Sequence, residues 1–237
     1  MSLELLLLTG TALSVGVIHT LLGPDHYLPF VAMARAGDWT RKKALTVTAL
    51  CGVGHVAGSV ILGMLGIAMG LSLASLEAFE SSRGSMAAWG LILFGLLYAV
   101  WGVRKAGRGH THAHLHAHAD GKVHLHAHDH QRDHAHPHVE GGSGSLTPWI
   151  LFVVFLLGPC EALIPLLMFP AATKSLGALF LVTVTFGLAT VVTMLLVVFA
   201  GLEGVERLPL GGLERWAHSL AGLTILACGL AIRFLGI

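Results

Sequence analysis

Residues 17–29 read Val17-Ile18-His19-Thr20-Leu21-Leu22-Gly23-Pro24-Asp25-His26-Tyr27-Leu28-Pro29, placing two histidines, a carboxylate and a Gly-Pro pair inside one apolar run. Proline lacks a backbone donor and pushes the residue before it out of the α region. A helix through this run must therefore kink or unwind at Gly23-Pro24. A second stretch repeats the pattern: Leu156-Leu157-Gly158-Pro159-Cys160-Glu161 with Pro165 answers Leu21-Leu22-Gly23-Pro24-Asp25-His26 with Pro29. Four residues coincide, and a polar pair follows in each.

Around these two stretches the 237 residues are 54% hydrophobic and 11% charged, with a mean hydropathy of +0.76. A soluble domain carries roughly 25% charged residues, so this composition belongs to a chain solvated by lipid. The formal net charge is +1 and no basic face is discernible, which excludes a nucleic-acid partner. Cys51, Cys160 and Cys228 lie far apart in apolar surroundings and form no CxxC pair, against a disulfide framework. The apolar start has no basic residue ahead of it and no small-residue cleavage site before Gly23-Pro24, so it reads as a first span rather than a signal peptide.

A hydrocarbon core about 30 Å thick needs about 20 apolar residues per helix. Six stretches qualify, at residues 3–33, 44–71, 86–103, 148–171, 176–202 and 216–235. The expected fold is an all-α membrane protein of six transmembrane helices, arranged as a 3+3 inverted repeat with helices one and four broken. Residues 1–106 form the first three-helix repeat, 107–145 a flexible histidine-rich loop, and 146–237 the second repeat. An odd number of spans per half makes the copies opposite in orientation, as in transporters that bind their cargo at broken helices near the midplane. Lys and Arg fall mostly on one side, with only Arg83, Lys174 and Arg233 on the other. The positive-inside bias then puts the chain in the plasma or inner membrane, with the loop cytoplasmic and both termini outside.

An ionisable residue near the bilayer centre costs at least about 2.5–3.5 kcal/mol on insertion scales and is a functional candidate for that reason. His19, Asp25, His26 and His55 qualify in the first half, and Cys160 and Glu161 answer from the fourth span. On a straight helix His19 and His26 would stand about 10.5 Å apart along the axis. That is too far for a shared ion with nitrogen bonds of about 2.0–2.1 Å, so the Gly23-Pro24 break must bring them together. Imidazole with carboxylate suits nickel, cobalt and zinc, while a Cys160 thiolate would favour softer ions. Such ligands bind only when deprotonated, so binding weakens at low pH.

These residues carry a resemblance. His19-x5-Asp25-His26 followed by Gly54-His55 resembles the paired signatures of the nickel/cobalt transporter superfamily, including its nickel/cobalt efflux and UreH-like branches. The usual first signature is His-x4-Asp-His; this chain is one residue longer, with Gly-Pro inside. The resemblance implies that His19, Asp25, His26 and His55 bind the ion in a six-span protein. A second, distant resemblance links Gly158-Pro159-Cys160 with Pro165 to the membrane thiol carriers of the DsbD/CcdA type, which use one cysteine per half. Here the matching first-half position is Asp25, so a thiol-disulfide electron carrier, with Cys51 and Cys160 as its candidate pair, stands as the alternative.

The loop holds 12 of the 16 histidines, in runs such as His110-Thr111-His112-Ala113-His114, and reads as a weak metal buffer or delivery arm. No phosphate-cradling glycine loop is present, so no nucleotide hydrolysis is expected. The chain reads as a transporter and not an enzyme, without a tightly bound cofactor, with nickel, cobalt or zinc as its cargo. Its partners are then the bilayer, the ion, and a second copy of the chain or a cytoplasmic metal-delivery protein. Plainer roles compete at single positions: Glu161 as interhelical glue, Cys160 as packing, Thr185, Thr190 and Thr193 bonding back to their own helix, and His218 at the interface.

Overall fold

The computed structural model describes residues 3–107, 111–117, 123–129, 147–173, 175–207 and 211–236. Helix α1, Leu3–Leu22, runs into the first Gly-Pro and stops there. A single 3₁₀ turn, Pro24–His26, joins it to α2, Leu28–Ala36. Helix α3, Arg41–Ala68, begins where the Thr40 hydroxyl accepts the Lys43 amide, an N-cap that satisfies one orphan donor. It is followed by α4, Leu73–Gly107. The second Gly-Pro divides the fourth stretch completely into α5, Thr147–Leu157, and α6, Leu163–Ala172. Helix α7, Leu176–Glu206, is capped by Ser175, and α8, Ala217–Leu230, continues into a π turn, Ala231–Leu235.

One boundary is revised. The third stretch starts not at residue 86 but thirteen residues earlier, at Leu73, because Glu80 and Arg83 find partners inside the bundle instead of ending the span. Within the histidine-rich loop β1, Thr111–Ala117, pairs antiparallel with β2, Val123–Asp129, with His112 opposite His128, His114 opposite His126 and His116 opposite His124. Histidine at every second residue is a strand period, and Asp120-Gly121 lies between the two runs, a dipeptide suited to hairpins. The rest of the loop, residues 108–110, 118–122 and 130–145, lies outside the described residues.

Among the described residues five helices are long and apolar enough to cross a membrane, at Leu3–Leu22, Arg41–Ala68, Leu73–Gly107, Leu176–Glu206 and Leu213–Leu235; Pro148–Leu157 is a shorter apolar helix. The outer surface, unlike that of a soluble protein, is apolar. Leu3, Leu22, Trp149, Leu176, Phe180 and Leu235 point outward, while Thr20, His26, Thr48, His55, Ser59, Glu80, Thr190 and Ser219 are buried within a core that is otherwise apolar. Such an outer surface is stable against lipid and not against water.

Helix α1 lies against α7, α5 against α3, and α4 against α8. The last pair approaches so closely that a Cβ on Gly95, Gly102 or Gly222 would strike backbone of the facing helix. Small residues of this kind let membrane helices pack backbone to backbone. At one end of the bundle Arg41 pairs with Glu203 and Glu206, Arg35 with Glu214, and Lys105 meets His218. This charged end gathers the finish of α2, α4 and α7 and the start of α3 and α8.

Candidate metal site

The 3₁₀ turn at Pro24–His26 folds the chain back so that residues seven apart become neighbours. The His19 and His26 ring centroids are 4.8 Å apart, and His55, from the middle of α3, lies 5.0 Å from His26 and 6.2 Å from His19. One ring nitrogen from each of the three falls within 4.8 Å of the others. Nitrogens sharing a tetrahedral ion through bonds of about 2.1 Å stand about 3.4 Å apart, so the rings must close by up to about 1.4 Å to complete a site.

The orientation of two of the rings follows from backbone freed at the breaks. His26 Nδ1 lies 3.1 Å from the Gly23 carbonyl, and His55 Nδ1 lies 3.4 Å from the carbonyl of Phe155. A carbonyl can only accept, so each Nδ1 carries the hydrogen and donates it. Phe155 is four residues before Pro159, which has no amide, so its oxygen accepts the Gly158 N–H at 3.0 Å instead and keeps a second lone pair for the imidazole. Each Nε2 is left facing inward, and neither His26 Nε2 nor His55 Nε2 has a hydrogen-bond partner. Buried polar nitrogens in folded proteins are paired in the great majority of cases, which makes these two an anomaly that a bound cation would resolve.

The glycines of the two breaks serve the same rings. A Cβ on Gly23 would fall on the His26 imidazole, and one on Gly158 would lie 3.1 Å from His55 Nδ1. Each broken helix thus offers to one imidazole of the cluster a bare glycine and the second lone pair of a carbonyl that already accepts a backbone amide, His26 N–H on Gly23 and Gly158 N–H on Phe155, both at 3.0 Å.

The six residues singled out from the sequence occupy distinct places. His19, His26 and His55 converge. Asp25 stands behind His26, its Oδ1 3.3 Å from Nδ1, an arrangement in which a carboxylate fixes the tautomer and orientation of an imidazole ligand. Cys160 is fully buried with Sγ 3.8 Å from His19 Nε2. Glu161 is exposed and lines a cavity of about 650 Å³ with His19, Asp25, His26, Ser81 and Arg233. The cavity runs from the histidines toward the end opposite the charged one. On the other side Phe30 and Phe155, 4.7 Å apart, pack beneath the rings.

Other residues answer more plainly. Cys51 and Cys160 belong to separate apolar clusters, and both are free thiols, as is Cys228. Thr190 does not bond back to its helix; its buried hydroxyl has no partner. His218 is engaged by Tyr98 and Lys105 at the charged end.

The sequence reading missed the buried pair Glu80 and Arg83, which counted only as charges outside a span. Glu80 is 0% exposed, salt-bridged to Arg83, and bonded to Ser59 and to the amide of Cys160. The available signal was an acid and a base three residues apart on one helical face, adjoining an apolar run. No protein-family model, curated protein or solved structure matches the chain.

Proposed function

We propose that the protein moves a divalent transition-metal ion, nickel or cobalt first and zinc next, across a cell membrane through His19, His26 and His55. The observation that carries this reading is the pair of buried, unpartnered Nε2 atoms on His26 and His55, converging with His19 at a helix break. A set dominated by imidazole suits borderline ions rather than magnesium or calcium, which prefer oxygen. The resemblance of His19-x5-Asp25-His26 and Gly54-His55 to the nickel/cobalt transporter signatures points to the same cargo.

Counting α1 with α2, and α5 with α6, as single broken spans yields six crossings in two groups of three. The packing agrees with an inverted repeat: α1 on α7 has its counterpart in α5 on α3, and α4 and α8 face one another. Broken helices meeting near the midplane are a recurrent way to build an ion site in such repeats. With the basic residues inside, the charged end and the histidine hairpin are cytoplasmic, the termini outside, and the cavity opens outward in the plasma or inner membrane. The Phe30–Phe155 contact then closes the cytoplasmic side, and transport requires it to part. The hairpin acts as a metal buffer beside the exit or entrance, where a delivery protein or a second copy could dock.

The test is metal flux into proteoliposomes, with nickel, cobalt and zinc measured separately, for wild type, His26→Ala and a deletion of residues 109–139. Saturable flux that vanishes in His26→Ala and is only modulated by the deletion supports the reading. Folded protein that passes none of the three metals refutes it.

A further inference from the structure

In an unbroken helix the Cys160 amide would donate to the Leu156 carbonyl. Here that bond is split and an ion pair is inserted in its place. The Cys160 N–H donates to Glu80 Oε2 at 3.2 Å, and the Leu156 carbonyl accepts from Arg83 Nη2 at 2.9 Å. Arg83 also reaches the Gly158 carbonyl at 3.3 Å, and Ser59 donates to Glu80 at 3.3 Å. The acid thus serves the freed donor and the base serves the freed acceptors.

The neighbouring surfaces are cut to admit this arrangement. A Cβ on Gly84 would lie 2.7 Å from the Pro159 ring, and one on Gly58 would lie 2.8 Å from the Leu156 oxygen and 2.9 Å from the Arg83 guanidinium. A fully buried carboxylate with its counter-ion is costly in a membrane bundle, and apolar residues would hold two helices together at less cost. The pair instead fixes one short segment, and the side chain which that segment presents is Cys160, with Sγ 3.8 Å from His19 Nε2.

We infer that Glu80 and Arg83 are positioning residues for the metal site: they hold the turn at Gly158–Cys160 open so that the Cys160 sulfur joins His19, His26 and His55 as a fourth ligand. The inference rests on the ion-site reading above and adds to it a thiolate and the pair that aims it. Binding displaces the thiol proton, which leaves to bulk water by way of the cavity that His19 lines, and three imidazoles with one thiolate form a four-coordinate set of a kind that zinc and cobalt accept.

Cobalt(II) alone, added to the full-length protein in detergent, reports the ligand directly, because a thiolate on cobalt produces a sulfur-to-metal charge-transfer absorption that imidazole does not. Wild type is expected to show this band and Cys160→Ser to lack it. Glu80→Ala is expected to lose the band and bind cobalt about 10–100-fold more weakly, the usual cost of removing a ligand's support. Glu80→Gln keeps an acceptor for the Cys160 amide and is expected to restore the band. Arg83→Lys, which replaces with one nitrogen the two that serve Glu80 (Nη1) and the Leu156 and Gly158 carbonyls (Nη2), tests the same point should Glu80→Ala fail to fold; it is expected to reduce the band. A wild-type band unchanged in Glu80→Ala, or in Arg83→Lys where that is the folded variant, overturns the positioning role. Cobalt bound without a sulfur band in wild type overturns Cys160 as ligand while leaving the histidine site standing. No cobalt binding by wild type removes the ion site itself.

Discussion

Two imidazoles of the cluster, His26 and His55, are held by groups outside the proposed ligand set. Asp25 and the Gly23 carbonyl share His26 Nδ1, so Asp25→Ala should lower metal affinity about 10–100-fold while leaving the fold intact, as metal titration of the purified protein would measure. The two break glycines should differ in cost. Gly23→Ala drives a methyl onto the His26 ring, whereas Gly158→Ala brings one only to 3.1 Å of His55 Nδ1, so the first should lose more affinity than the second. Equal affinities in the two variants would sink this account of the glycines. Lowering the pH should weaken binding, because every proton taken up by His19, His26 or His55 removes a lone pair from the site. At this scale the sequence was informative about identity and silent about role. His19, Asp25 and His26 stand out as polar groups in an apolar run, but that the Asp25 carboxylate lies against His26 Nδ1 depends on which way a 3₁₀ turn points it.

Among the elements, the two broken helices and the α4–α8 contact have opposite designs. The breaks expose carbonyls that side chains then use, whereas α4 and α8 bring intact helices together through Gly95, Ala99 and Gly102 on one and Ser219, Gly222 and Gly229 on the other. Gly222→Ala places a methyl against the Ala99 backbone, which cannot move aside without shifting the helix. Overpacking of this sort costs about 1–3 kcal/mol, and a lowered melting temperature in detergent with cobalt affinity retained is the expected result. The broken helices were legible in advance, since Gly-Pro acts locally and needs no tertiary partner. The true length of α4 was not. Glu80 and Arg83 resemble a helix flank until the opened turn of the fourth span, some 75 residues later, is seen to receive them.

For the whole molecule, the distribution of polarity decides the solvent. Leucine, phenylalanine and tryptophan side chains cover the outside while histidine, threonine and glutamate are enclosed, so the protein should partition into detergent and aggregate without it. The proposed crossing of α4 can be tested with single cysteines introduced at Leu71 and Gly121, since the native thiols are buried. The two sites should react with an impermeant maleimide from opposite faces of sealed vesicles; labelling from the same face would mean that α4 does not cross.

By itself the sequence determined the solvent, the helical class, the two break points and that His19, Asp25, His26 and His55 stand in apolar runs, because these depend on composition and on forces reaching no farther than a helical turn. Only the tertiary structure decided that His55 joins His19 and His26, that Cys160 approaches His19, and that Glu80 with Arg83 spans the opened turn. Those meetings join residues from 29 (His26 to His55) to 141 (His19 to Cys160) positions apart, set by how helices pack against one another. No spacing along the chain encodes that packing.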